Sequence, residues 1–285
     1  MTFREETGVP AGSPSIEVDG VRLAVARKGR GPVIVCLHAI GHGGGDFDVF
    51  TEAMGDRFEI VRIDWPGQGR SGADRGPAGA TRYGELLTAA LDKLGIERPI
   101  IIGNSIGGAA AILHASRRPV RALVLCDTGG LVEVGFAARR FCGTLVRFFA
   151  AGERRAWWFG PAFRFYYRRM VLPSPAAATQ RERIIRAGAE IATLLREAWE
   201  SFRQPDADIR TVAQALDVPV HFAWAKKDRV IPLSLCLPAI KKMKRGSLTT
   251  FDAGHAPFLE QPEAFVEDFV AFVQTLSRTE SVAAE

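Results

Sequence analysis

The sequence has little cysteine and histidine, and neither residue is spaced as a structural or metal site requires. Its 285 residues include four cysteines and five histidines. Cys36 and Cys126 lie in apolar runs, where cysteine behaves as a small hydrophobic residue, and Cys142 and Cys236 are scattered elsewhere. We therefore expect no disulfide framework, no metal site and no cofactor held by cysteine or histidine clusters.

We also expect neither a leader nor a membrane-spanning run. Residues 1–15 carry Arg and Glu without an apolar stretch, which is typical of neither a signal peptide nor a transmembrane helix. There is no internal repeat and no nucleic-acid-binding motif, and the net charge of +5 is mild. We expect a cytoplasmic protein that acts on a small molecule and does not bind nucleic acid. Its oligomeric state is left open.

Apolar runs that alternate with helical patterns predict an α/β fold. The first two runs flank Asp19-Gly20 and predict a hairpin. Strands are predicted at residues 15–18, 21–25, 32–37, 58–63, 99–102, 120–126, 218–225 and 247–251, and helices at 46–54, 81–94, 107–113, 233–241 and 262–276. This order predicts a mostly parallel, twisted sheet flanked by helices, with functional residues beyond the C-terminal ends of the strands.

The segment from residue 131 to 216 interrupts this pattern. It is rich in arginine and aromatic residues, has no strand-like run, and is divided by Ser174-Pro175. We interpret it as a helical cap, or lid, inserted after the strand that ends near Cys126. Residues 1–130 and 217–285 would then form the α/β core.

The stretch Gly103-Asn104-Ser105-Ile106-Gly107 predicts a sharp turn from strand to helix. A strand that enters a helix this abruptly holds the serine in a strained conformation, and it leaves no room for side chains at Gly103 and Gly107. The serine hydroxyl is then exposed, and the N–H of Ile106 lies at a helix N-terminus where it can stabilise negative charge. Ser105 is therefore a candidate nucleophile. An ordinary glycine-containing turn is the alternative.

A nucleophilic serine requires a base, and histidine is the usual one. His114 and His221 fall inside a predicted helix and a predicted strand, which favours a packing role for both. His38 and His42 precede the serine, whereas the base comes late in the order serine, acid, histidine. His255 follows the last predicted strand and is the candidate base.

The acid must orient the imidazole from a neighbouring loop. Asp228 follows the penultimate predicted strand and is the preferred candidate. Asp127 ends the preceding strand and is the competing candidate, with a longer reach to His255.

These motifs resemble the α/β-hydrolase family, in its serine-nucleophile branch with a helical lid. The resemblance spans residues 16–276 and includes Leu37-His38 with its glycine-rich loop, the stretch from Asp64 to Ser71, the Ser105 turn, Lys227-Asp228 and Gly254-His255-Ala256-Pro257. It implies a catalytic triad of Ser105, Asp228 and His255, an oxyanion hole formed by the N–H groups of Ile40 and Ile106, and no cofactor. The chain has Ala39 where the family usually has glycine. The Asp64 loop is expected to shape the fold rather than transfer protons.

A Ser-His-Asp site can hydrolyse esters, lactones, thioesters or amides, and can also cleave a carbon–carbon bond beside a carbonyl. We rank an esterase or lactonase with a small to medium apolar substrate first. Asn104 and Thr128-Gly129-Gly130 resemble carbon–carbon hydrolases of aromatic ring-cleavage products, but Ala256 stands where those enzymes have tryptophan. A non-catalytic or single-turnover ligand receptor is a third hypothesis.

Five residues are expected to contact the substrate, four of them aromatic and drawn mainly from the predicted cap: His38, Trp157, Phe163, Tyr166 and Phe258. The arginines between Arg139 and Arg169 are most simply a solvated face. Two alternatives are that one arginine binds a substrate carboxylate, or that the basic and aromatic helices rest on an anionic membrane surface.

Overall fold

A computed structural model describes the backbone of residues 6–284 and the side chains of residues 6–278. Residues 1–5 and 285, and the side chains of residues 279–284, lie outside this description. No helix in the described part of the chain is both long enough and apolar enough to cross a bilayer.

Eight strands form one sheet in the order β1-β2-β4-β3-β5-β6-β7-β8. Their bounds are Ser15–Val18 (β1), Val21–Gly29 (β2), Val33–Leu37 (β3), Glu59–Ile63 (β4), Ile100–Asn104 (β5), Ala122–Cys126 (β6), Val220–Ala225 (β7) and Gly246–Phe251 (β8). β1 and β2 form the predicted antiparallel hairpin, and β3 to β8 are parallel. The predicted fold class is confirmed.

Helices cover both faces of the sheet because the parallel strands are apolar on both sides. Outside the inserted segment they are α1 (Asp48–Met54), α2 (Ala80–Leu94), α3 (Ile106–Ala115), α9 (Leu233–Ile240), α10 (Pro257–Glu260) and α11 (Pro262–Ala284). The helix predicted from residue 46 is wrong in its first turn, because Gly44–Phe47 forms a 3-10 turn before α1 begins.

The segment of residues 131–216 is helical throughout its regular structure, as the sequence predicts. Its α-helices are α4 (Phe136–Glu153), α5 (Phe159–Tyr166), α6 (Ala178–Arg186), α7 (Ala192–Ser201) and α8 (Arg210–Ala215). Ser174 begins a short 3-10 turn by accepting a hydrogen bond from the Ala176 N–H. Buried aromatic residues such as Phe149 and Phe163 share one apolar cluster with Ile102 and Val124 of the sheet. Ala198 and Ala213 belong instead to the other large apolar cluster of the core. The inserted helices therefore pack on the core through both clusters.

Candidate active site

Ser105 lies at the turn between β5 and α3 with φ 54° and ψ −118°, so the strained backbone that its motif predicts is confirmed. A Cβ at Gly103 would lie 2.6 Å from the carbonyl oxygen of Gly107, and a Cβ at Gly107 would lie 2.6 Å from that of Leu37. Both positions therefore require glycine. The Ser105 N–H donates to the Cys126 carbonyl at 3.0 Å, which attaches the turn to the neighbouring strand β6.

Two backbone N–H groups beside Ser105 are available to an oxygen atom of a ligand. Ile106 is the first residue of α3, and Ile40 follows β3 in the glycine-rich loop. Within the described part of the chain, neither N–H donates a hydrogen bond to a protein acceptor. A helix N-terminus presents such free donors and a positive partial charge, which suits an oxyanion.

His255 and Asp228 form a buried pair. The Nδ1 of His255 lies 2.9 Å from Oδ2 of Asp228, and both side chains are almost fully buried. Oδ1 of Asp228 accepts the N–H groups of Val230 at 2.7 Å and Ile231 at 2.9 Å. Because these bonds fix the carboxylate, it can hold one tautomer and one orientation of the imidazole.

Asn104 connects the serine turn to the histidine loop. Its side-chain amide donates to the carbonyl of His255 at 2.9 Å and to that of Cys126 at 3.1 Å. No hydrogen bond joins the described side chains of Ser105 and His255; such catalytic bonds are commonly long in free enzymes and shorten when substrate binds. Sequence reasoning used Asn104 only as a family resemblance and missed this connection.

Glu260 is a second residue that the sequence analysis missed. Its Oε1 accepts the N–H groups of Gly254 at 2.8 Å, His255 at 3.0 Å and Ala256 at 3.3 Å. Its Oε2 accepts the N–H of Ser174, in the inserted segment, at 3.0 Å. The only sign of this role in the sequence was a glutamate five residues after the loop histidine. Glu260 thereby fixes the histidine loop and ties it to the inserted helices.

We expect Glu260→Gln to destabilise the protein by about 1–3 kcal/mol, because the new amide would direct N–H groups at backbone donors that now bond a carboxylate. Activity should fall by about tenfold as the loop that carries His255 loosens. Urea unfolding and steady-state kinetics measure the two effects. The exposed Glu263→Gln serves as the matched control, and equal behaviour of the two variants would contradict the role of Glu260.

Asp127, the competing acid candidate, is fully buried beside the pair. Its Oδ1 accepts the Ala225 N–H at 2.8 Å, whereas Oδ2 has no partner among the described residues. One side-chain atom from each of Asp127, Asp228 and His255 lies within 4.8 Å of the other two. Burial, together with the negative charge of Asp228, raises the pKa of Asp127 well above its ordinary value. Burial therefore favours the protonated form of Asp127.

A cavity of about 480 Å³ leads to Ser105, a volume typical of small-molecule sites. Its walls are mostly apolar, with Glu133 and Arg229 as charged members. Burial raises the pKa of the Cys142 thiol in the wall to about 11, which keeps it protonated at neutral pH. The wall residues come from the start of α4, from α7 and the residue after it, from the start of α9 and from the loops after β3, β6 and β7. They include Ile40, Gly129, Val132, Val134, Ala138, Phe141, Ala198, Trp199, Phe202, Ile231 and Leu235.

None of the five side chains predicted to contact substrate lines this cavity in the described structure, so their contact with substrate stays a prediction. Trp157 is 90% exposed on the outer surface. Phe163 and Tyr166 are buried in the contact between the inserted helices and the sheet, and Phe258 stacks on Phe47 at 4.4 Å. The spacing of aromatic residues in the sequence does not show which of them point towards Ser105.

His38 has a structural role instead of the predicted contact with substrate. Its Nδ1 donates to the Ala39 carbonyl at 2.7 Å, and its Nε2 accepts the Trp65 N–H at 3.0 Å. Burial lowers the pKa of His38, so the ring is neutral. Asp64, in the adjoining loop, accepts the N–H groups of Val9, Gly44 and Arg70, which agrees with its expected role in shaping the fold.

A second Ser-His-Asp grouping lies at the opposite edge of the sheet. His221 contacts Ser247 Oγ through Nδ1 at 2.8 Å and Asp268 Oδ2 through Nε2 at 2.6 Å. Ser247 is the second residue of β8 and His221 the second of β7, where these strands begin. Ser247 therefore lacks a strained turn and the free N–H groups of a helix N-terminus, and we assign the grouping a structural role.

Comparison with known proteins agrees with the fold described above. The model of the family described as alpha/beta hydrolase matches residues 34–268. A pimeloyl-[acyl-carrier protein] methyl ester esterase of Methylococcus capsulatus is 30% identical over 267 residues, which are 87% of this chain and 98% of that protein. An enol-lactonase of Burkholderia xenovorans has a TM-score of 0.75 at 19% identity, over 92% of this chain and 100% of that one. A bacterial membrane phospholipase A has a TM-score of 0.80 at 21% identity, over 96% and 89%.

Proposed function

Because this chain belongs to the α/β-hydrolase family, we propose that it hydrolyses carboxylic esters or lactones of small to medium apolar acids through an acyl-enzyme. One observation carries the proposal: an apolar cavity ends at Ser105, whose strained turn is bonded through Asn104 to the loop of the His255–Asp228 pair. The esterase and lactonase activities named for the similar proteins support the same reaction class.

In the proposed mechanism, Ser105 Oγ attacks the carbonyl carbon of the substrate and its proton passes to Nε2 of His255. Asp228 holds the Nδ1 proton and stabilises the imidazolium. The N–H groups of Ile40 and Ile106 stabilise the oxyanion. His255 then returns the proton to the departing alcohol oxygen, and a water molecule releases the acid from Ser105 by the same steps in reverse.

We further propose that residues 131–216 act as a lid that selects the acyl or alcohol group. The start of α4 and part of α7 supply part of the cavity wall, and apart from Cys142 their residues there are alanine and aromatic. Such a wall excludes water and discriminates by size, because each additional buried methylene contributes to binding.

The test of the proposed function is steady-state hydrolysis of chromogenic esters from acetate to dodecanoate, together with a series of lactones. We expect multiple turnovers and a preferred acyl length. Faster turnover of ring-cleavage dienones than of any ester would favour the carbon–carbon hydrolase alternative. A single acylation without turnover would favour the receptor alternative. Either result would contradict the proposal.

The size selection predicts that Ala138→Phe shortens the preferred acyl chain. The larger ring would fill part of the cavity, so kcat/KM for the long esters should fall at least about tenfold while acetate hydrolysis stays within about twofold. Thr144→Phe is the matched control, because Thr144 is exposed on the same helix and does not line the cavity. An unchanged preference in Ala138→Phe would show that the acyl group binds elsewhere.

A further inference from the structure

The outer surface of the inserted segment exposes large aromatic side chains. Trp157 is 90% exposed and Phe165 is 64% exposed. Trp157 lies just before α5 and Phe165 lies within it, whereas Phe159, Phe163 and Tyr166 of the same helix are buried in the core. This short helix therefore has aromatic residues both in the core and at the surface. Packing inside the protein explains only the buried ones.

Arginine surrounds these exposed rings. Residues 134–169 contain eight arginines and one acidic residue, whereas the rest of the chain has 29 basic and 31 acidic residues. The whole positive excess of the protein thus lies in this one segment. We define the outer patch as Arg154, Arg155, Trp157, Arg164 and Phe165, which are all exposed.

The arginines of the outer patch have no acidic partner among the described residues. Arg154, Arg155 and Arg164 form no ion pair there, and Glu153 is already bonded to Arg196 at 2.8 Å. Neutralisation within the fold therefore does not account for the clustered charge. An external partner must be anionic to complement it.

We propose that the outer patch docks the protein onto an anionic lipid bilayer. Tryptophan and phenylalanine side chains are stabilised at the level of the lipid headgroups, and arginines attract anionic lipids. An acidic protein surface would pair with the arginines but would leave Trp157 and Phe165 against polar groups, whereas a bilayer interface satisfies both. The sequence alone favoured a solvated face; the 90% exposure of Trp157 changes that preference.

Docking at this patch would place the protein at a source of apolar molecules. Helix α4 connects the patch to the cavity. Its first turns line the cavity through Ala138 and Phe141, and Arg154 and Arg155 follow its last residue, about 24 Å further along at 1.5 Å per residue. The docking proposal does not depend on the proposed hydrolase activity, and it can be tested in a protein whose Ser105 has been replaced.

The test is cosedimentation with vesicles of phosphatidylcholine and phosphatidylglycerol, with vesicles of pure phosphatidylcholine for comparison. Wild type should bind the anionic vesicles, and binding should fall at least about tenfold in Trp157→Ala/Phe165→Ala and in Arg154→Glu/Arg155→Glu. Arg30→Glu/Arg98→Glu is the matched control, since it lowers the net charge equally at exposed positions near the start of β3 and β5. It should retain nearly all of the binding.

Tryptophan fluorescence gives an independent measurement. Trp65 and Trp224 are fully buried, Trp199 is half-buried, and Trp158 is 40% exposed against 90% for Trp157. Insertion of Trp157 should therefore dominate a blue shift on vesicle addition, and Trp157→Ala should lose most of that shift, whereas Trp158→Ala should keep most of it. Adding Ser105→Ala to wild type or to any of these variants should leave its binding to the anionic vesicles unchanged.

Three results would overturn the docking proposal. The first is equal binding of wild type and Trp157→Ala/Phe165→Ala, and the second is a failure of wild type to bind anionic vesicles. The third is binding of soluble polyglutamate as tight as that of the vesicles, which would identify an acidic protein as the occupant.

Discussion

Replacement of Ser105 by alanine should lower kcat for the best ester at least about 10⁴-fold, because the nucleophile is lost while the remaining groups give only residual catalysis. The fold should persist, since alanine removes one hydroxyl and keeps the same backbone at φ 54°. Steady-state kinetics measure the rate, and thermal unfolding checks the fold.

The second Ser-His-Asp grouping offers an internal control for this result. Ser247→Ala removes the hydroxyl that lies 2.8 Å from His221 Nδ1. Activity should remain within about twofold of wild type, because the assembled groups at Ser105 are untouched. If Ser247→Ala abolishes hydrolysis while Ser105→Ala does not, the site has been assigned to the wrong edge of the sheet.

The second large effect is expected for Asp228→Asn, which should lower kcat by about 10⁴-fold. The amide is similar in shape to the carboxylate, but it can neither stabilise the imidazolium nor enforce the correct tautomer of His255. A pH–rate profile with the same ester series should show the loss throughout the active range.

Asp127→Asn is the matched variant for Asp228→Asn. Burial raises the pKa of Asp127 and so favours its protonated form, which an amide resembles in charge; the amide can also still accept the Ala225 N–H. We expect a rate within about threefold of wild type. A large loss in Asp127→Asn together with near-normal activity in Asp228→Asn would make Asp127 the catalytic acid.

The local sequence pattern was sufficient to predict the fold and the strained turn at Ser105. The alternation around Asp19-Gly20 predicted the hairpin, and the buried runs predicted the parallel strands, since both are governed by side-chain periodicity. The glycines beside Ser105 also act locally, through steric exclusion at a turn. A few consecutive residues are enough to determine such features.

The pocket and the supporting contacts depended on tertiary structure. Trp157 and Phe163 are both aromatic residues of the inserted segment, six positions apart, yet one is 90% exposed and the other is fully buried. Which face of a helix meets the core depends on how α4 to α7 pack, and periodicity does not specify that arrangement. For the same reason, the sequence placed the substrate against aromatic residues that do not line the cavity.

The sequence by itself determined the α/β architecture, the strained turn at Ser105 and the chain order that singles out His255. Only the tertiary structure decided that Asp228, and not Asp127, contacts His255, that Glu260 joins the histidine loop to Ser174, and that the outer patch is exposed. The first group depends on residues close together in sequence, or on strand order alone. The second depends on distances and burial between residues far apart in the chain, which are set only when the sheet and the inserted helices pack.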